Sequence, residues 1–213
     1  MSNSQVHNFQ FGRVTRAATI GFDVGCRVNE LTAVSFGGLV KAMPKDTHEA
    51  VYGLVYNINI DDDSLSRRLI MAEDPPVELI NDQRENRLLP VEMNVMAVGY
   101  RQNQKIIHGL PPRPPLNLDP VELVRDPAEI KAFSDKLGYL RLILRANSED
   151  VPVEQLLVAH VRDFYRLRGD DVAWATAVTQ ELIELLRSNY DVLIPTLEAL
   201  SDALPELKTA VGK

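Results

Sequence analysis

Four histidines, one cysteine and a run of three aspartates are the side chains of this sequence best suited to hold a metal or attack a substrate, and their spacing leaves each of them without an evident partner. His7, His48, His108 and His160 show no i, i+4 pairing of the kind that lets two imidazoles on one helix face share a zinc ion, so a metal site would require distant residues to converge. His160 lies on an apolar helical stripe and reads as a core or interface histidine. Asp61-Asp62-Asp63-Ser64 begins like a calcium loop, but Leu65 and Ala72 stand where an EF-hand loop needs its fifth and twelfth ligands; a solvated acidic turn is the better reading. Cys26 has Arg27 beside it, and a nearby cation favours thiolate. Neighbours in a strand point to opposite faces, however, which favours a buried structural cysteine.

The motifs of phosphate and acyl chemistry are missing as well. A P-loop needs clustered glycines followed by Gly-Lys and a hydroxyl residue, so that backbone amides surround the phosphates. Gly21 to Gly25 lacks the Gly-Lys, and Gly37-Gly38-Leu39-Val40-Lys41 has the wrong spacing. Ser35 precedes Phe36-Gly37, but Ala33 replaces the first glycine of a nucleophile elbow. The sequence thus nominates no catalytic residue, no metal ligand and no cofactor, and Trp174 with its leucine-rich neighbours reads as core rather than as a cofactor pocket.

The elements that would position any site divide at Leu110-Pro111-Pro112-Arg113-Pro114-Pro115. Four prolines in five residues fix φ near -65° and remove amide donors, so this stretch is neither helix interior nor central strand. It separates an expected β-barrel domain, residues 1–116, from an expected helical domain, residues 117–213. Before the seam, Arg13 to Ile20 and Phe22 to Val28 are short, β-branched and punctuated by glycine. From Val51 to Ile60, Tyr52, Leu54, Tyr56, Ile58 and Ile60 alternate with Val51, Gly53, Val55, Asn57 and Asn59, which places the first set on one face of a strand running toward a barrel rim. Gly53 permits a bend or a close backbone approach. Val91 to Tyr100 and Lys105 to His108 form a hairpin across Arg101-Gln102-Asn103-Gln104, and Pro75 to Ile80 opens a short helix or an irregular crossover. The expected architecture is α+β: a small antiparallel β-barrel, closed to hide its edges, followed by an α-helical bundle.

After the seam, Asp119-Pro120 with Glu122 and Asp126-Pro127 with Glu129 each place a capping side chain, a first-turn proline and a nearby acid, so both predict helix starts. Val153, Leu156, Leu157, His160, Val161, Phe164 and Tyr165 follow the helical i, i+3, i+4, i+7 pattern. Tyr139 to Arg145 fits strand alternation and a helical face equally, and its neighbours favour helix. A longer helix is expected from Asp170 or Asp171 to near Tyr190, set against its predecessor as an antiparallel pair by a break at Gly169. Pro195 opens or kinks a further segment, and Pro205 ends it.

Composition sets the remaining bounds. With 45% hydrophobic and 25% charged residues over 213 positions the chain is globular. A single cysteine excludes an internal disulfide, and the first residues lack the charged and apolar regions of a secretory signal, so a cytoplasmic location is expected. No apolar run is long enough to span a bilayer. Residues 1–116 carry 12 basic and 13 acidic side chains, residues 117–213 carry 11 and 17. The acidic helical half is poorly suited to phosphate backbones, leaving only a local patch on the barrel for nucleic acid.

Gly12-Arg13-Val14, Gly37-Gly38-Leu39-Val40, Val51-Tyr52-Gly53-Leu54-Val55 and the proline seam together resemble the HAS-barrel family, named for the N-terminal barrels of HerA-type ATPases and rotary ATP synthase subunits. The resemblance covers the first half and implies a closed antiparallel barrel that organises assembly around an ATPase ring or contacts an associated partner. Lacking a P-loop and carrying helices in place of a motor, this sequence would keep only the adaptor surface. The expected function is a non-enzymatic assembly or adaptor module whose partner is an ATPase or a second copy of the chain. The alternatives are an enzyme with a non-local active site and nucleic-acid binding by the barrel. Arg113, held on a proline-stiffened backbone, is the first candidate interface residue; Tyr100 and His108, at the ends of the hairpin strands, are the others.

Overall fold

The computed structural model of the protein describes residues 8–27, 33–44, 49–60, 71–72, 74–85, 91–147 and 149–204; the expectations at His7, His48, Asp61-Asp62-Asp63-Ser64 and Pro205 lie outside them. The described elements are strands β1 (Phe9–Ala18), β2 (Gly21–Cys26), β3 (Leu39–Ala42), β4 (Ala50–Ile60), β5 (Val91–Gln102), β6 (Lys105–Ile107) and β7 (Pro120–Leu123), and helices α1 (Val77–Glu85), α2 (Pro127–Ser134), α3 (Leu140–Leu144), α4 (Val153–Leu167), α5 (Val172–Leu186) and α6 (Tyr190–Ala203). The fold is α+β, a closed antiparallel barrel followed by helices. Six strands complete the circuit β1-β7-β3-β4-β5-β2, with β2 returning to β1, while β6 extends the free edge of β5.

Closure depends on β7. Its register joins Val121 and Leu123 to β1 on one side and to β3 on the other, so without it the barrel would gape between those strands. The helix start expected at Asp119-Pro120 is therefore corrected to a strand, and the barrel extends past residue 116 to Leu123. The capping signal loses because Val121 and Leu123 are fully buried in the barrel interior, where each contributes about 1.5–3 kcal/mol. Asp119 instead caps its own loop, its Oδ2 accepting from the Leu116 amide at 2.8 Å. The proline seam is a crossover within the barrel: it carries the chain from β6 to the gap that β7 fills.

The barrel has two hydrophobic faces. Inside it, Phe11, Val14, Phe22, Val24, Cys26, Val40, Met93 and Leu123 pack together. Leu39, Tyr52, Leu54, Met96 and Val98 point outward and share a second core with Ile130, Phe133, Tyr139, Ile143, Leu157 and Phe164 of the helical region. Strand β4 reaches both cores by alternation, Val51 and Val55 lying inside the barrel and Tyr52 and Leu54 outside, and its register shifts at Tyr52/Gly53 and again at Val55/Asn57. The expectation that Tyr52 through Ile60 share one face is corrected accordingly: Tyr52, Leu54 and Tyr56 face the helices, whereas Ile58 packs against the barrel interior. β-Bulges of this kind rotate the side chains that follow. A Cβ at Gly53 would collide with the Val95 side chain and the Met96 carbonyl, so glycine there serves close strand approach.

In the helical region Asp126 caps α2 by accepting from the Ala128 amide at 3.0 Å, with Pro127 in the first turn. Asp171 caps α5 through the Trp174 amide. Gly169 and Asp170, with φ of 78° and 58°, break α4 from α5. Helix α5 ends at Leu186 instead of near Tyr190, because Asn189 opens α6, and Pro195 lies inside α6. The ambiguous stretch is helix α3, with Tyr139 at its N-cap position and no side-chain cap.

The β5–β6 turn offers a test of local backbone strain. Asn103 and Gln104 both adopt positive φ, 49° and 62°, as a two-residue hairpin turn of the I′ kind requires, and the second position favours glycine. Gln104→Gly is expected to raise unfolding free energy by roughly 0.5–1 kcal/mol in urea titration; an unchanged or lower midpoint would contradict strain at this turn.

Candidate functional site

Glu129, in the first turn of α2, is the polar hub of the barrel–helix joint. Its carboxylate accepts from Lys41 Nζ at 3.0 and 2.7 Å, from the Tyr52 hydroxyl at 2.6 Å and from Asn8 Nδ2 at 2.6 Å, with Arg101 at 3.6 Å. Burial pushes this carboxyl pKa up, but the hydrogen bonds from Lys41, Tyr52 and Asn8 and the Lys41 charge outweigh it and hold it below the usual range. Burial and the facing Glu129 charge drive the Tyr52 pKa far upward, so its hydroxyl is a fixed donor. Asn8 ties the cluster to the chain entering α2, its Oδ1 accepting from the amides of Arg125 and Asp126 at 2.7 and 2.9 Å. Arg125 in turn donates to Asp163 of α4 at 3.0 Å.

Beside this hub runs an aromatic chain. Tyr52 meets Phe133, Phe133 meets Tyr139, Tyr139 meets His160 edge-on, and His160 meets Phe164, which contacts Trp174; each centroid separation lies between 4.2 and 6.1 Å. His160 is fully buried. Its Nδ1 lies 3.3 Å from the Gly37 carbonyl and its Nε2 3.0 Å from the Tyr139 hydroxyl. Because a carbonyl only accepts, the proton belongs on Nδ1, and the neutral ring accepts the Tyr139 O–H at Nε2. Burial lowers the His160 pKa to about 4 against the opposing Gly37 hydrogen bond. This is the core histidine that the apolar stripe indicated.

The cavity described on the surface, about 850 Å³, is a groove between the barrel wall and the end of α3. Its barrel side is a polar ladder across four strands. Arg16 of β1 stands opposite Asp23 of β2, Asp23 opposite Asn94 of β5, and Asn94 opposite Asn57 of β4. Asn57 Nδ2 donates to Asn94 Oδ1 at 3.1 Å, Asn94 Nδ2 to Asp23 Oδ1 at 2.7 Å, and Arg16 Nε to Asp23 Oδ2 at 2.8 Å. The opposite side carries Leu142, Arg145, Asn147, Asp150 and Val151, and Ile20 and Leu110 also line the groove. Burial raises the Tyr56 pKa, and Asp23 and Asp150 raise it further, so its phenol remains a neutral donor.

The three residues nominated from sequence have different fates. His108 is half-buried at the joint, its Nε2 donating to the Phe133 carbonyl at 2.9 Å and its ring against Phe133 and Tyr139; burial lowers its pKa, the Phe133 hydrogen bond opposes this, and the Lys136 charge adds to it. Tyr100 pairs in register with Val51 and Ile107. Arg113 is exposed and pairs with no carboxylate among the described residues, while Pro111 and Pro115 on either side are buried. Sequence reading missed Glu129 as a hub, taking it for a first-turn acid, and missed Asp23, Asn94, Arg145 and Asp150. The available signal was the outward asparagine pair at the end of β4, whose partners only strand register could name.

Among the described residues no helix is long and apolar enough to cross a membrane, and no three acidic, cysteine or histidine side chains converge as metal ligands. Comparison with protein-family models and with curated proteins returned no match. The class defined here is thus structural: a closed six-strand barrel whose outer face is covered by helices and flanked by an amide-lined groove.

Two stability measurements follow from the joint. Glu129→Leu leaves Lys41 buried without its nearest counter-ion and is expected to cost about 3–5 kcal/mol. The double variant Lys41→Met/Glu129→Leu should lose less than Glu129→Leu alone; a strictly additive loss would show that the pair is not coupled. For His160, the unfolded ring titrates near pH 6.5 and the folded one at about 4, so the unfolded state binds the proton first. The resulting stability is intact above pH 6.5 and is lost as pH falls toward 4. Between pH 7 and 5 the His160 contribution is about 2 kcal/mol. His160→Gln should flatten the pH dependence of urea unfolding by that amount, leaving the same-direction slope due to His108; equal slopes would refute the assignment.

Proposed function

We propose that this chain is a non-enzymatic assembly module. Its barrel contacts a protein partner, an ATPase of the HerA type if the HAS-barrel resemblance holds, or a second copy of the chain. The acidic helices provide a second surface, and a cytoplasmic setting fits the lone buried Cys26.

The make-up of the groove carries this reading. Among the described residues its lining holds no His, Cys, Ser, Thr or Lys. Of its two carboxylates, Asp23 is engaged by Arg16 and Asn94, and Asp150 accepts from Asn147 at 2.8 Å. General acid–base or nucleophilic catalysis needs a nucleophile and a base within reach of one another beside the substrate. The strongly shifted groups Tyr52, Tyr139 and His160 are instead enclosed in the joint. Nucleic acid fares no better: the groove sets Asp23 and Asp150 against Arg16 and Arg145, and Arg16 is already shared between Asp23 and Glu92, so a phosphate backbone would meet no net positive charge there.

Arg113 supplies a test of the seam as a contact. Buried prolines pin the segment at both ends and leave the guanidinium outside, so little backbone entropy is lost when it docks. Affinity capture from lysate with the tagged full chain, alongside light scattering for self-association, is expected to show a partner that Arg113→Glu weakens about tenfold, the worth of one interface arginine. Retention of every partner by the variant would remove Arg113 from the interface; no partner and no self-association would count against the adaptor reading itself.

A further inference from the structure

We propose that the groove between the β1–β2–β5–β4 wall and the end of α3 is a peptide-binding site that takes an extended segment of the partner protein, bearing apolar side chains and an acidic residue. The inference rests on the adaptor reading and specifies where and how the partner is held.

The ligand class follows from what lines the groove. Its volume of about 850 Å³ lies in the range of sites that enclose a ligand instead of a flat contact. Ile20 and Leu110 line it at 69% and 46% exposure, beside Leu142 and Val151. Apolar surface held open in a concavity gains by being covered.

The polar wall selects among apolar ligands. Asn57 and Asn94 carry the donor and acceptor chemistry of a peptide bond, and the ladder uses part of it: Asn57 gives its amide hydrogens to Asn59 and Asn94, and Asn94 Oδ1 accepts from both Asn57 and Asn59. Asn94 spends one amide hydrogen on Asp23, and Asn57 receives no hydrogen bond at its Oδ1 from the described residues. An extended chain presents N–H, C=O and alternating side chains at strand spacing, which matches amides arrayed across strands with apolar residues beside them. A fatty chain would leave the remaining Asn94 N–H and the Asn57 Oδ1 unpaired.

Charge fixes the remaining feature. Arg16 is engaged by Asp23 and Glu92, whereas the exposed Arg145 guanidinium on the opposite lip has no hydrogen-bond or ion-pair partner among the described residues. A carboxylate on the incoming segment completes it, with the planar fork of arginine suited to bidentate pairing.

The experiment selects a phage-displayed random-peptide library on the immobilised full chain, then measures the synthetic consensus peptide by fluorescence anisotropy. The expected consensus carries apolar residues at alternating positions and a neighbouring Asp or Glu. Ile20→Asp should weaken it about tenfold or more, and Arg145→Glu should shift a repeated selection from acidic to basic residues. Both positions are exposed, so an unchanged melting temperature shows that the fold survives either substitution. No enrichment, or a consensus that binds both variants as it binds the parent chain, overturns the proposal. A captured partner retained by both groove variants would overturn the groove assignment while leaving the adaptor reading standing. A consensus lost on Ile20→Asp, with no partner captured, would support the groove and count against the adaptor reading.

Discussion

Glu129 has its carboxylate largely closed off from water between β3, β4 and α2, where an ion without partners would cost several kcal/mol. Lys41, Tyr52 and Asn8 reach it from three separate parts of the barrel chain, so the docked carboxylate is satisfied only with all three in place. The requirement works in both directions. Lys41 projects from the outer face of β3 and is itself 5% exposed, which is tolerable only with α2 above it. Hydrophobic contact between Phe133 and Tyr52 would bring the helix to the barrel in many orientations, whereas the carboxylate admits one. The ion cluster is best understood as the register pin of an interface whose adhesion comes from apolar area.

Barrel closure is coupled to the same point. Strand β7 enters the gap between β1 and β3, and only three residues separate Leu123 from Pro127 at the start of α2. Glu122 in β7 faces Lys41 at 3.4 Å, so the strand that closes the barrel and the helix that covers it present carboxylates to one lysine. The proline seam makes the long crossing to this position with little conformational freedom to lose. What looks in the sequence like a hinge between domains therefore serves to complete the barrel, and the two halves share a core as well as a connection.

The elements most legible in sequence are those whose signals are local and uncontested. Helix α4 declares itself through its apolar stripe, α2 through Asp126-Pro127, and the α4–α5 break through Gly169. The segment Asp119-Pro120-Val121-Glu122 carries the same capping pattern as α2 and becomes a strand, because its fate depends on a gap left by residues roughly eighty to one hundred and ten positions earlier. Local propensity cannot register such a vacancy. The two shifts in β4 are hidden for a related reason: alternation of side chains assumes an unbroken pleat, and a bulge moves Ile58 to the other face without changing the residue pattern. The groove was the least legible feature of all, since Asp23, Asn94 and Asn57 are neighbours only across strands and each alone is an ordinary polar residue in a half-exposed strand.

The division of polar groups between joint and groove has a physical basis that bears on function. A buried ionisable group is stable only when its hydrogen-bonding capacity is filled by the protein, as with Glu129 and with both ring nitrogens of His160. Such a group can engage a ligand only by surrendering a contact that holds the barrel to the helices. The groups left for recognition are those at the surface, where water fills their remaining capacity and a ligand can displace it. In this fold those groups are amides and paired ions on a rigid sheet, beside apolar side chains held apart from one another. Rigidity matters here because the ladder is fixed by strand register, so its spacing does not adapt to the ligand; selectivity would come from how well a bound chain matches that spacing, and little ordering of the site would be needed on binding.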